Sequence, residues 1–207
     1  MRKPWWLLVV AIGFGLVLTY PYLGLDPGSS RIEVRGNLRY AVLVAHIFTA
    51  AVALVLGPLQ FVPAVRARRR LHRTLGRSYL LAGVLPSAVA GIPVAVWSGR
   101  LLTQLGLTTA AVLWLVTGGL AYRAARRRDF AAHRAWMMRN YALTFLAVTS
   151  RVLVPVFLLA QAPFGGIGPA SAPSLIPVGQ TLGWILDLVV AEVLIRRRRR
   201  PVSRSVA

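Results

Sequence analysis

Clusters of basic residues divide this chain into apolar stretches, and that alternation leaves few folds open. Of the 25 Lys and Arg residues, 20 lie in four groups: Arg2/Lys3, Arg66 to Arg77, Arg123 to Arg139, and Arg196 to Arg204. Six apolar stretches separate or flank the groups. Each is close to or above the roughly 20 residues that carry an α-helix across a 30 Å hydrocarbon core. The pattern predicts an all-α integral membrane protein: a six-transmembrane-helix bundle forming a single membrane domain.

The expected spans are about 5–22, 40–62, 78–97, 102–122, 130–160 and 175–195, with a basic tail over 196–207. The first has a signal peptide's positive start, but no small-residue cleavage site follows it and Tyr20-Pro21-Tyr22 is a poor cleavage region, so it reads as an uncleaved helix. The fifth is too long for the core alone and should tilt or project beyond it. Basic flanks resist translocation, which places the N-terminus and C-terminus and both arginine-rich loops in the cytoplasm. That orientation leaves Arg31, Arg35, Arg39 and Arg100 outside and Arg151 within a span.

Composition narrows the function classes. A net charge of +20 on an ordinary soluble chain would suggest nucleic acid. Here 57% of residues are hydrophobic, mean hydropathy is +0.63, and the arginines flank apolar spans rather than line one polar face. The expected partners are therefore the bilayer and anionic lipid head groups, which attract juxtamembrane basic residues by about 1 kcal/mol each, with no nucleic acid. A homodimer or larger membrane complex is a further expectation. No cysteine is present, which excludes disulfides, thiolate metal sites, iron–sulfur clusters and covalent haem attachment. No dedicated metal site is expected, and a cofactor would have to be held by His, Met, Asp, Glu or Tyr.

Ionisable groups inside spans are costly, about 2.5–3.5 kcal/mol for a central arginine on insertion scales, so they mark places of interest. The histidines fall into two kinds. His72 and His133 open odd-numbered spans in matching sequence: His-Arg, a second arginine (Arg77, Arg139), then a tyrosine two residues on (Tyr79, Tyr141). His46 lies inside span two. On span five, helical steps from His133 pass Met137, Asn140, Thr144 and Ala147 to Arg151, a small or polar face. On span two the same steps from His46 pass Ala50, Ala53 and Gly57 and end near Gln60. His46 and Arg151 lie at similar depth, roughly 24 Å from the inner side. An outer pocket of His46, Arg151 and Gln60 is expected. Asp187 and Glu192 are the intramembrane acids, with Glu192 close enough to the inner side to pair with Arg73, Arg134 or Arg139. On span three, Gly83, Ser87 and Gly91 form a small-residue stripe for helix contact, and Pro86 and Pro93 should bend the span.

Around these residues the chain resembles an uncharacterised family of predicted bacterial membrane proteins grouped under a domain of unknown function. The resemblance rests on His46 with Gly57-Pro58-Leu59-Gln60-Phe61, on Leu71 to Tyr79, and on His133 to Tyr141 followed by Arg151. It covers spans two to six and implies a bacterial cytoplasmic membrane, but supplies no activity. A looser likeness is architectural. Transmembrane b-type cytochromes also use six helices, with haem ligands on spans two to five.

The leading expectation is a membrane electron carrier with haem b between His72 and His133. Met137 is a substitute ligand, and Arg73, Arg77, Arg134 and Arg139 stand near as propionate partners. The alternatives are a small transporter or permease-like protein using His46, Arg151 and Asp187, and a non-catalytic membrane subunit or lipid-binding scaffold. No Ser/His/Asp set, H-E-x-x-H or glycine-rich phosphate loop points to an enzyme.

Overall fold

A computed structural model describes residues 5–30, 32, 35–161 and 171–199. The basic start at Arg2/Lys3, most of the expected loop between spans five and six, and the tail beyond 199 lie outside the described residues. Among the described residues there is no strand. The elements are α1 (Trp5–Thr19), α2 (Asn37–Leu59), α3 (Pro63–Ala67), α4 (Arg69–Ser78), α5 (Leu85–Val96), α6 (Leu101–Arg126), α7 (Phe130–Gln161) and α8 (Ser171–Arg199). Among the described residues, six stretches are long and apolar enough to cross a membrane, which makes this a multi-pass membrane protein.

The largest departure from the expected boundaries is in span three, which begins at Arg69 rather than residue 78. His72 therefore lies inside a helix, not in a loop before it. Between α4 and α5 the chain passes through a π-helical segment, Tyr79–Val84, in which the Leu85 N–H reaches back to Leu80 O. Pro86 follows at once. It lacks an N–H, and its ring would crowd the carbonyl four residues earlier, so the widened turn takes up the misfit. At the other end of α2, Pro63 occupies the first turn of α3, where its missing N–H leaves nothing unpaired. Asp129 starts α7 by accepting the Ala132 N–H at 2.9 Å, a cap worth about 1 kcal/mol.

Four elements form a ring: α2, the α4–α5 helix, α6 and α7, each packed on the next, with α7 closing against α2. Short turns between α5, α6 and α7 force antiparallel neighbours. The ring interior holds the main apolar core, including Ala53, Tyr79, Ala88, Trp114, Met137 and Tyr141. α1 covers the seam where α2 meets α7, with Ala11 packed against Leu54 and Val148. α8 lies outside the ring on α6 and α7, and Arg100 ties its first turn to the α5–α6 turn through Pro173 O at 2.9 Å. The bundle thus has one arginine-rich end, with α3, the start of α4, the α6–α7 turn and the end of α8, and one arginine-poor end.

Candidate functional site

In the arginine-poor half of the ring lies a cavity of about 320 Å³. Its wall includes His46, Ala50 and Leu54 of α2, Ser87 and Gly91 of α5, Trp114 of α6, and Thr144, Ala147, Ser150 and Arg151 of α7, with Gly15 and Leu18 of α1 closing the seam. The small-residue stripe on α5 is what lets His46 in. A β-carbon at Gly91 would stand 2.9 Å from His46 Nδ1. Ser87 then fixes the ring: its carbonyl lies 2.8 Å from His46 Nδ1, and its hydroxyl reaches His46 O at 3.2 Å. A carbonyl only accepts, so Nδ1 carries the proton and Nε2 is the nitrogen left to meet a ligand. On α7, Arg151 also lines the cavity, although its side chain is exposed, and it is braced by Nη1 donating to Ala147 O at 2.8 Å. The structure thus brings these two expected residues onto one wall.

A closed polar network seals the cavity floor. Trp114 Nε1 donates to Thr144 Oγ1 at 3.0 Å. Thr144 and Tyr79 hydroxyls lie 2.8 Å apart, and the Tyr79 hydroxyl donates to Asn140 Oδ1 at 2.6 Å. Tyr79 has one proton to give, so Thr144 is the donor in their shared bond. Asn140 Nδ2 then donates to Trp114 O at 2.7 Å and Thr117 Oγ1 at 2.9 Å, and Thr117 passes its proton to Leu113 O at 2.8 Å. The Thr144 hydroxyl also lies 3.2 Å from Asn140 O, and that of Thr117 3.2 Å from Trp114 O, so both protons are shared within the cluster. In apolar surroundings such saturation is what makes a polar cluster tolerable. Sequence reading reached Asn140 and Thr144 through the period of α7 and Tyr79 through the repeated His-Arg motif, but not their pairing.

At the arginine-rich end, His72 and His133 do approach each other, with ring centres 6.4 Å apart and ring planes at 83°. His133 Nδ1 bonds Ala121 O at 2.9 Å. His72 Nδ1 is buried with no hydrogen-bond partner. Met137 is buried one turn beyond His133. Arg73, Arg77 and Arg134 point outward and are exposed. Arg139, expected near a propionate, is engaged elsewhere: Nη2 and Nε hold Glu192 Oε2 at 2.6 and 3.1 Å, and its guanidinium lies 4.6 Å from the Trp136 ring centre. Glu192 therefore finds its partner on α7, one of the three expected. The cavity is lined by neither His72 nor His133.

Two expected members fall elsewhere. Gln60 does not reach the outer pocket; its side-chain oxygen faces Gly76 at the arginine-rich end. It shares a helix face with His46, but 14 residues of helix separate them, about 21 Å. Asp187 accepts from Thr149 Oγ1 at 2.8 Å on the α7–α8 contact. α8 meets the cavity at Gln180, two turns before Asp187, and Asp187 is not among the residues of its wall.

Fold and cavity together define a multi-pass α-helical membrane protein built on a four-element ring. The chain belongs to the family described as "Predicted membrane protein (DUF2306)", whose model matches residues 43–195. No curated protein and no solved structure matches it. The matched residues begin inside α2; α1, which closes the cavity's seam, precedes them.

Proposed function

We propose that this protein binds a small amphipathic carboxylic acid within the membrane, in the manner of a permease binding site. The carrying observation is the single cavity wall shared by His46 and Arg151, with apolar depth beneath them. From His46 to Leu54 the wall runs eight residues, about 12 Å along α2, and Leu54, Ala111 and Leu143 line its deeper part. At about 320 Å³ the cavity is at the lower end of ordinary ligand pockets, which suits a medium-chain acid. An arginine's fork of donors matches a carboxylate. His46 Nε2 accepts the proton of the neutral acid, or donates to the anion when itself charged. The closed floor means that passage through the bundle needs the Tyr79–Asn140 network to open, so binding comes first and transport second.

The electron-carrier reading draws support from the separation of His72 and His133 alone. Arg139 is already paired with Glu192, and the cavity lies at the other end of the bundle.

Equilibrium dialysis of nanodisc-embedded protein against labelled decanoate tests the proposal, with decanol as the uncharged comparison. We expect saturable binding of decanoate, weaker binding of decanol, and a loss of about 10–100-fold in affinity in Arg151→Gln, the scale of one charged hydrogen-bonding partner. Equal binding of acid and alcohol, unaffected by Arg151→Gln, would overturn it.

A further inference from the structure

A second site lies at the arginine-rich end, independent of the cavity. We propose that His72, His133 and Met137 hold one monovalent copper ion. Two metal–nitrogen bonds of about 2.0 Å on opposite sides of one ion, with the ring radii added, set imidazole centres about 6 Å apart; the observed separation is 6.4 Å, which fits a near-linear pair with the thioether at the side. Ring planes at 83° keep the two imidazoles from crowding each other about a shared ion. The nitrogens are also prepared for it. His133 gives its Nδ1 proton to Ala121 O, the backbone hydrogen bond that metal-binding histidines commonly make, and this leaves Nε2 as a lone-pair donor. His72 Nδ1 is buried without a partner, a state that costs about 1–3 kcal/mol for a polar atom and that coordination would relieve. Met137 is buried on the same face of α7, one turn past His133, and a helical side chain leans back toward the preceding turn.

The donor set selects the ion. Two neutral imidazoles and a thioether, with neither thiolate nor carboxylate, suit soft Cu(I) at low coordination number. Structural Zn²⁺ needs four ligands, and among the described residues no group of three or more His, Asp or Glu could hold a metal. The exposed arginines around the site, Arg73, Arg77 and Arg134 among them, repel a divalent cation twice as strongly as a monovalent one. No redox step is implied; the site stores or passes on the ion as bound.

The test is an anaerobic competition between the detergent-purified full chain and bicinchoninate for Cu(I), with ascorbate present, alongside X-ray absorption of the copper-loaded wild type. One Cu(I) per chain is expected, with two nitrogen neighbours and one sulfur. His72→Ala and His133→Ala should each weaken binding by more than the roughly 10–100-fold that loss of an outer-shell partner costs, and Met137→Leu should remove the sulfur signal. Should a histidine variant fail to fold, the wild-type absorption spectrum decides alone. Failure of the wild type to compete for copper, a copper site without sulfur, tighter binding of Zn²⁺ than of Cu(I), or a Soret band in the purified protein that disappears in His72→Ala would each overturn the proposal.

Discussion

Gly91 and His46 share one volume: the place where a side chain at Gly91 would begin is occupied by the His46 ring, 2.9 Å from Nδ1 and 3.0 Å from Cε1. The hydrogen bond from Nδ1 to Ser87 O holds the ring there. A stripe of small residues that reads as ordinary helix contact is therefore also the seat of the cavity's histidine.

Replacing Gly91 should accordingly act on binding as well as on stability. Gly91→Ala must push the ring or α5 aside, at about 1–3 kcal/mol for an overpacked interior. We expect a lower midpoint of unfolding in detergent together with weakened decanoate binding. A control substitution, Gly119→Ala, where a β-carbon meets nothing within 4 Å, should leave binding unchanged and should not lower the midpoint, since alanine favours a helix interior. Reversible unfolding and dialysis on the two variants check this.

The floor network should show coupling. Tyr79→Phe leaves Asn140 Oδ1 without its donor and leaves Thr144 only the longer bond to Asn140 O, at 3.2 Å. Polar contacts inside membrane bundles average about 0.6 kcal/mol and reach about 1.7; a fully buried network belongs near the upper figure. Asn140→Ala should cost as much or more. A double-mutant cycle of the two, read by reversible unfolding, should give a positive coupling energy, whereas strict additivity would mean that the network adds nothing beyond packing.

What the sequence made legible was the period and the charge. Helical steps on α7 from His133 trace the face that the fold turns inward at Met137, Asn140 and Thr144, which are buried; further along, Ala147 and the exposed Arg151 line the cavity. Pairing across helices was not legible. The repeated His-Arg sequence aligns Tyr79 with Tyr141, yet Tyr79 bonds Asn140, because both lie seven residues past their histidines on parallel helices. Tyr141 instead lies over Gly57 and reaches Leu54 O at 3.3 Å. Gln60 was misplaced for a related reason, since periodicity assigns a face and says nothing of depth. The π-helical turn had only Pro86 as its trace, and a proline marks a disturbance without fixing its form.

The charge asymmetry predicts an orientation, and that prediction has its own check. With the arginine-rich end in the cytoplasm, a cysteine at Ser98 in the α5–α6 turn should react with an impermeant thiol reagent in intact cells. One introduced at Ala67 in α3 should react only after lysis. The opposite pattern would invert the bundle and place the cavity on the cytoplasmic side.

The binding claim itself is tested most directly by Trp114, the indole on the cavity floor. Its fluorescence in nanodiscs should be quenched saturably by a terminally brominated decanoic acid, whose bromine would be carried to the floor when its carboxylate rests between His46 and Arg151. The account predicts that Trp114→Phe removes most of this saturable quenching and that Arg151→Gln shifts it to higher concentration. Quenching that rises linearly with the acid's partitioning into lipid, the same in wild type, Trp114→Phe and Arg151→Gln, would contradict it.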